Sequence, residues 1–362
     1  MKVCLICVEI FAWGKYGGFG RATRIIGREL VKRGVEVSAV VPRRSDQRAA
    51  ETLDGIRVLS FPRWLPPSMI HLLRECDADI YHSQNPSLGT WLALRAMPDR
   101  LHVTTFRDPK EKEDWRIEFM RPSRSRMQVI MNWMYEDSGL VHRAVRQQDG
   151  KYCAAEFLNP KLRRKFRFSA DLPLLPTPVE INSEAVKADS PTVCFVGRWD
   201  RRKRPELFFE LAPRFPHVRF IAVGQASDPR WERQLRRRYA GIANLDLLGF
   251  VDQFRSAGVT ELLARSWILV NTADREGLPT VFLEALANRC AILSHVDPEH
   301  MAARFGYHAR SAADFERGLA TLLTGDTWRK KGEAGFAHVR RHFEIGRVID
   351  LHLEAYRSLM EA

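Results

Sequence analysis

The sequence predicts an α/β protein with two parallel sheets, on three observations. Two series of strand-like apolar runs alternate with helix-like stretches, a Pro-rich passage separates them, and 362 residues at 45% hydrophobic content suffice for two cores. The first series has strands at "KVCLICVE", "VEVSAVVP", "GIRVLSF", "DIYHSQ" and "LHVTTF". Its helices are "GRATRIIGRELVKRG", with Ile25, Ile26 and Leu30 on one helical face, and "SLGTWLALRAM". The passage "DLPLLPTPVEINSEAVKADSP", residues 171–191, is Pro-rich extended chain that continues neither sheet. The second series has strands at "TVCFVG", "VRFIAVG", "LDLLGF", "WILVNT" and "CAILSH", with "PELFFELAPRF", "SAGVTELLARS" and "LPTVFLEALAN" as helices between them.

Two Rossmann-like domains follow, residues 1–178 and 179–344, facing each other across a cleft. The carboxyl ends of the strands would line that cleft, where open α/β sheets bind ligands. Residues 345–362 hold an amphipathic stretch, "RVIDLHLEAYRSLM", that either closes the second domain or crosses back to the first.

Six scattered cysteines include one close pair, Cys4 and Cys7. An odd separation within a strand puts those two on opposite faces, which argues against a metal or redox pair and for buried thiols in a reducing compartment. No apolar run approaches the roughly 18 positions of a membrane-spanning helix, and the start lacks the features of a secretion signal. A cytoplasmic protein is expected, soluble or peripheral on the inner face of a membrane. The net charge of +13 fits an anionic partner or simple solubility, and the first 180 residues, with 30 basic and 21 acidic side chains, are the more basic half.

The residues suited to chemistry lie at strand ends. In "EIFAWGKYGGFGRATR", Gly17, Gly18 and Gly20 stand between a strand and a helix N-terminus, where backbone N–H groups and the helix dipole can receive an anion. The spacing is not that of a dinucleotide fingerprint, and the glycines alternatively only permit a loop. In "FVGRWDRRKRPELF" a strand ends at Gly197, and Arg198 and Lys203 follow it, with Pro205 placed to open a helix. Guanidinium at a strand's carboxyl end suits paired phosphate contacts, whereas Arg201, Arg202 and Arg204 read equally well as a solvated face. In "EGLPTVFLEALANR" the start of the helix leaves N–H groups of Gly277, Leu278 and Thr280 for a second phosphate contact. Glu276 before the helix and Glu284 within it suit hydrogen bonds to sugar hydroxyls; helix-dipole compensation and a surface position are the bland alternatives.

Taken together these residues resemble the retaining glycosyltransferases of family 4, with the GT-B fold, over nearly the whole chain. "GGFGR" is similar to the family's N-terminal glycine loop, "VGRWDRRK" to its phosphate motif, "LLGFVD" to the segment that reads the nucleotide base, and "EGLPTVFLE" to its E-x7-E motif. The resemblance implies Arg198, Lys203 and Glu276 as catalytic residues, the first two neutralising the donor diphosphate and Glu276 holding donor-sugar hydroxyls. Gly18, Gly197, Phe250, Gly277, Leu278 and Thr280 would line the donor site, and Glu284 would bind the ribose. Transfer would retain configuration by front-face attack with neither metal nor cofactor, so "DAD" at 77–79 reads as capping. The implied partners are a nucleotide-sugar donor and a glycan or lipid-linked acceptor, with no nucleic acid.

Three departures stand out. Arg107 occupies the place of a histidine near the reacting sugar, with Arg107 and Asp108 as substitute contacts. "LPTPVE" replaces Asn-Gly at the hinge, and "ANRCA" carries Arg289 and Ala291 where Gly and Pro are common. "KYGG" also resembles the Lys-x-Gly-Gly of starch and glycogen synthases, which would bring Lys15 near donor phosphate or acceptor; their second domain lacks the E-x7-E pattern. In the long segment after "HVTTF", Trp115, Phe119, Met127, Ile130, Met131, Trp133 and Met134 read as core rather than as a patch on an anionic membrane. A sugar-nucleotide epimerase of the same fold and a non-catalytic polyanion-binding protein are the competing readings.

Overall fold

The computed structural model describes residues 1–362 apart from Lys15, Ser45 and Arg124. The chain forms two compact units. The first comprises Met1–Glu111, Ile130–Pro178 and Ile345–Ala362, the second Lys112–Val129 and Val179–Glu344.

In the first unit seven strands, β1 (Lys2–Ile6), β2 (Glu36–Pro42), β3 (Ala50–Leu53), β4 (Ile56–Phe61), β5 (Ile80–Ser83), β6 (Leu101–Phe106) and β7 (Gly150–Cys153), lie in the order β3-β4-β2-β1-β5-β6-β7. All neighbours are parallel except β3 and β4, a hairpin whose turn residues Asp54 and Gly55 have φ of 53° and 83°, as a two-residue turn requires. Arg24 fixes that turn: its Nε and Nη2 donate to the Asp54 carboxylate at 2.6 and 3.2 Å, and its Nη1 to the Phe11 carbonyl at 2.8 Å.

Successive strand residues face opposite layers, so Cys7 packs with Val3, Leu5, Ile26 and Leu30, while Cys4 packs with Ile6, Leu73 and Tyr81 on the other side. All six cysteines are buried and none forms a disulfide. The helix Ile345–Glu361 belongs to this unit and buries Ile349, Leu353 and Tyr356 in the first of these layers. It also completes a buried polar cluster. His82 lies with Nδ1 2.6 Å from the Tyr356 hydroxyl and Nε2 2.8 Å from the Thr105 hydroxyl. Burial keeps the His82 and His352 imidazoles neutral, His352 being pushed down to about 3.

In the second unit six parallel strands, β8 (Thr192–Val196), β9 (Arg219–Val223), β10 (Leu245–Gly249), β11 (Ile268–Asn271), β12 (Ala291–Ser294) and β13 (Gly306–His308), take the order β10-β9-β8-β11-β12-β13. Val193, Phe195, Phe220 and Val270 face one core layer; Cys194, Ile221, Leu269 and Ile292 face the other. The helix Thr280–Ala287 buries Phe282, Leu283, Ala285, Leu286 and Ala287 in the second layer, each large side chain contributing about 1.5–3 kcal/mol.

One expectation needs correction. Trp115 is buried, but Phe119, Met127, Ile130, Met131, Trp133 and Met134 are exposed by 39–66% and are not core. On the helix Arg126–Asp137, Met127, Ile130, Met131 and Met134 form one i, i+3, i+4, i+7 stripe, and the inward position is Val129. Helical spacing locates a stripe without fixing which side it faces. No helix among the described residues is long and apolar enough to cross a membrane.

Candidate active site

The second sheet reverses its order at β8, which pairs with β9 on one side and β11 on the other. Loops leaving the carboxyl ends of strands at such a switch point diverge, and the opening between them is where open α/β sheets take ligands. The loops after β8 and β11 carry residues 197–204 and 272–279, which include the Gly-Arg/Lys motif and the first glutamate of E-x7-E.

Gly197 ends β8 with its N–H donating to the Val223 carbonyl at 3.0 Å, and it lies hard against Gly224 at the end of β9. A Cβ on Gly224, whose φ is +144°, would meet the Gly197 carbonyl oxygen at 1.8 Å. Arg198 follows, its Nη1 3.2 Å from Asp200 Oδ2. Asp200 is buried and also accepts from the Ser227 N–H at 2.8 Å and the Ser227 hydroxyl at 3.2 Å. Burial pulls its pKa up, but Arg198 and the Ser227 bonds outweigh that and hold it below the usual carboxylate range.

Lys203 donates from Nζ to Glu276 Oε1, joining the two loops by their predicted catalytic residues. Both side chains are largely enclosed, at 20% and 15% exposure, and burial lowers the Lys203 pKa. The backbone reinforces the junction: the Thr272 hydroxyl lies 2.6 Å from the Lys203 carbonyl and 2.8 Å from that of Arg204, and the Asp274 N–H donates to the Arg202 carbonyl at 3.1 Å. Arg204, at φ 45°, donates from Nε to the Thr272 carbonyl at 2.7 Å and pairs with Asp274 at 3.0 Å. Arg202 pairs with Glu118. Neither arginine is therefore a solvated side chain, unlike Arg201, which is 43% exposed.

Gly277 and Leu278 precede the helix Thr280–Ala287, whose first N–H groups have no intrahelical acceptor. Glu284 lies further along that helix, and Phe250 follows β10 at the sheet's edge. Arg289, without a role from sequence, has φ 59° just past the helix end. It stacks on Phe336 at 3.8 Å, pairs with Glu333 at 3.0 Å and donates to the Asn182 and Ser183 carbonyls at 3.1 and 3.2 Å. Guanidinium here ties three segments together where glycine would supply only the turn.

The remaining predicted residues lie in the first unit. Gly18 opens the helix Gly18–Lys32, but the Glu9 carboxylate already accepts from the Gly20 N–H there at 3.0 Å. Arg107 is buried, donating from Nη1 to the Thr177 hydroxyl at 2.8 Å and from Nη2 to Gln84 Oε1 at 3.0 Å, and burial pushes its pKa down to about 10. Asp108 follows it, its N–H 3.4 Å from Asn85 Oδ1. Lys15 lies outside the described residues.

Sequence reading missed Asp114, Glu118, Asp200, Asp274 and Arg275. The Nε of Arg275 lies 2.6 Å from Asp114 Oδ1. Asp114 and Glu118 share a helical face by their i, i+4 spacing, but their partners are some 85–160 positions away, so no local pattern announces the pairs.

Comparison by sequence with curated proteins gives no significant match. By structure, the chain is similar to sucrose-phosphate synthase from Thermosynechococcus elongatus (17% identity, 99% of each chain, TM-score 0.75). It is similar to HepE of Anabaena, solved with UDP and glucose (13% identity, 99% of this chain and 100% of that one, TM-score 0.73). A third likeness is to the lipopolysaccharide outer core galactosyltransferase WaaB (14% identity, 99% of each chain, TM-score 0.67). Residues 16–181 match the family described as Glycosyltransferase Family 4, and residues 177–303 match Glycosyl transferases group 1. The two matched families, lying end to end over most of a chain with two parallel-rich α/β sheets, make this protein a glycosyltransferase of the family 4, GT-B type.

Proposed function

We propose that the protein moves a hexose-type sugar from a nucleotide-sugar, a UDP-sugar before a GDP- or ADP-sugar, to a glycan, lipid-linked or small-molecule acceptor, with retention of configuration. The observation that carries this reading is the Lys203–Glu276 pair between the loops after the adjacent strands β8 and β11, with the Arg198 charge acting on Lys203 and the helix Thr280–Ala287 starting just beyond Glu276. When a donor diphosphate enters, Lys203 and Arg198 and the helix-start N–H groups offset its charge, and Glu276 is released to hold sugar hydroxyls. As the glycosidic bond breaks, charge accumulates on the leaving diphosphate, where fixed cations in a partly desolvated site act most strongly. Two such cations supply the stabilisation that a metal ion would otherwise give. HepE, similar in fold, was solved with UDP-glucose, which supports UDP as the first base to test.

The test is a thermal-shift series with UDP, GDP, ADP and their glucose conjugates. One nucleotide is expected to raise Tm by several degrees, since a ligand bound only by the native state stabilises it. Donor turnover is expected to persist in EDTA. Absence of any shift, or epimerised donor formed without acceptor, would overturn the transferase reading.

A lipid-linked acceptor is favoured by one feature, the exposed Met127, Ile130, Met131 and Met134 stripe with Trp133 beside it, flanked by Arg126. An apolar stripe that begins beside an arginine suits the headgroup region of an anionic bilayer. Co-sedimentation with phosphatidylglycerol-rich vesicles is expected, and Met131→Asp should cut it at least tenfold; equal pelleting of the variant would remove the membrane from this reading.

A further inference from the structure

The helix Lys112–Met120 lies in sequence between two stretches of the first unit, yet it belongs to the second. Its inward face spends two carboxylates on the loops of the donor site. Asp114 Oδ1 is 2.6 Å from Arg275 Nε, and Glu118 pairs with Arg202 while lying 3.7 Å from Arg275 Nη1. Just beyond the helix, Arg121 pairs with Asp274, and the Ser123 hydroxyl hydrogen-bonds Asp200. These are enclosed ion pairs, with side-chain exposures of 7% for Arg275, 11% for Glu118, 12% for Asp114 and 15% for Arg202.

Arg202 and Arg275 are the residues immediately before Lys203 and Glu276. Two arginines therefore adjoin a single lysine–glutamate pair along the chain, and the Arg202 charge acts on Lys203; guanidinium binds carboxylate more strongly than ammonium because it presents two donors at once. Without another anion in reach, either arginine would compete with Lys203 for Glu276.

We propose that Asp114 and Glu118 are positioning residues of the donor site. They sequester Arg275 and Arg202 so that Glu276 remains paired with Lys203 until a diphosphate displaces it. The inference rests on the donor-site reading given above, and it adds a function for a segment outside the four motifs quoted from the sequence.

The mechanism predicts a specific rescue. The test measures KM and kcat with UDP-glucose, and thermal shift with UDP, for the full chain, for Glu118→Gln and Asp114→Asn, and for the doubles Glu118→Gln/Arg202→Gln and Asp114→Asn/Arg275→Gln. Glu118→Gln is expected to raise the donor KM about tenfold or more, because Arg202 then turns to Glu276; Asp114→Asn is expected to raise it by less, because Glu118 still lies 3.7 Å from Arg275 Nη1. Each double is expected to return KM to within about threefold of wild type, because the competing cation is gone; buried ion pairs replaced together by neutral groups generally still fold. A merely structural role predicts the opposite, doubles no better than singles. Singles with wild-type KM, or folded doubles that remain impaired, overturn the positioning role while leaving the donor site intact. Should a single variant fail to fold, its double alone decides: a wild-type KM supports the inference and a tenfold loss refutes it. A wild type that shifts with none of UDP, GDP and ADP and turns over none of their glucose conjugates overturns both readings; one that answers to GDP or ADP instead is measured through the same series with that nucleotide and its glucose conjugate.

Discussion

Lys203→Ala is expected to lower transfer turnover by about a hundred- to a thousandfold while the protein remains folded. The magnitude is that of removing one preorganised donor from a site of developing charge. Lys203 reaches that site from the loop after β8, and its enclosed position means that solvent does little to screen the ammonium. Arg198→Ala should fall in the same range, because it removes the second cation and leaves Asp200 to be held by Ser227 and Ser123 alone. Glu276→Ala removes the hydroxyl contact and strips Lys203 of its partner, so its defect should appear in both KM and kcat. Single-turnover and steady-state kinetics with the matched nucleotide-sugar, alongside far-UV circular dichroism, measure these effects. Turnover near wild type in all three variants would show that the residues do not act on the reacting donor.

Gly224→Ala should be strongly disruptive to the second unit. The backbone there has φ +144°, a region that side chains strain to adopt at about 1–3 kcal/mol. The added Cβ would also come within 1.8 Å of the Gly197 carbonyl oxygen, a backbone atom that cannot rotate aside. Overpacking adds about 1–3 kcal/mol more. The strand end must then move, and it carries Gly197 and Arg198 with it, so loss of stability and loss of nucleotide binding are expected together. Chemical denaturation and nucleotide titration of this variant measure both; a midpoint within 0.5 M urea of wild type would contradict the packing argument, a threshold set on the order of a unit m-value.

The ten strands expected from sequence all form; most are largely apolar and buried on both faces, and the edge strand β10 forms as well although Leu248 is 60% exposed. The three others, β3, β7 and β13, are three or four residues long and lie at or beside sheet edges, where "AETL", "GKYC" and "GYH" carry no such run. The placement of Arg198, Lys203 and Glu276 on the loops after β8 and β11 was legible because each follows a recognisable strand. The surroundings of that trio were not. Arg202 and Arg275 look like surface charge until their carboxylates are seen, and the carboxylates come from a segment whose apolar residues dominate its reading.

The origin of those carboxylates bears on how this protein can be dissected and recombined. A cut at residue 178/179 matches the boundary of the larger segment but severs the second unit from its own helix at Lys112–Met120. A fragment of residues 179–344 would keep Arg202 and Arg275 but lose both Asp114 and Glu118 and the helix that packs on them. The fragment therefore loses buried packing and two ion pairs together. Grafting the second unit onto a relative's first unit would meet the same mismatch, and a successful chimera must transplant two segments distant in the gene together.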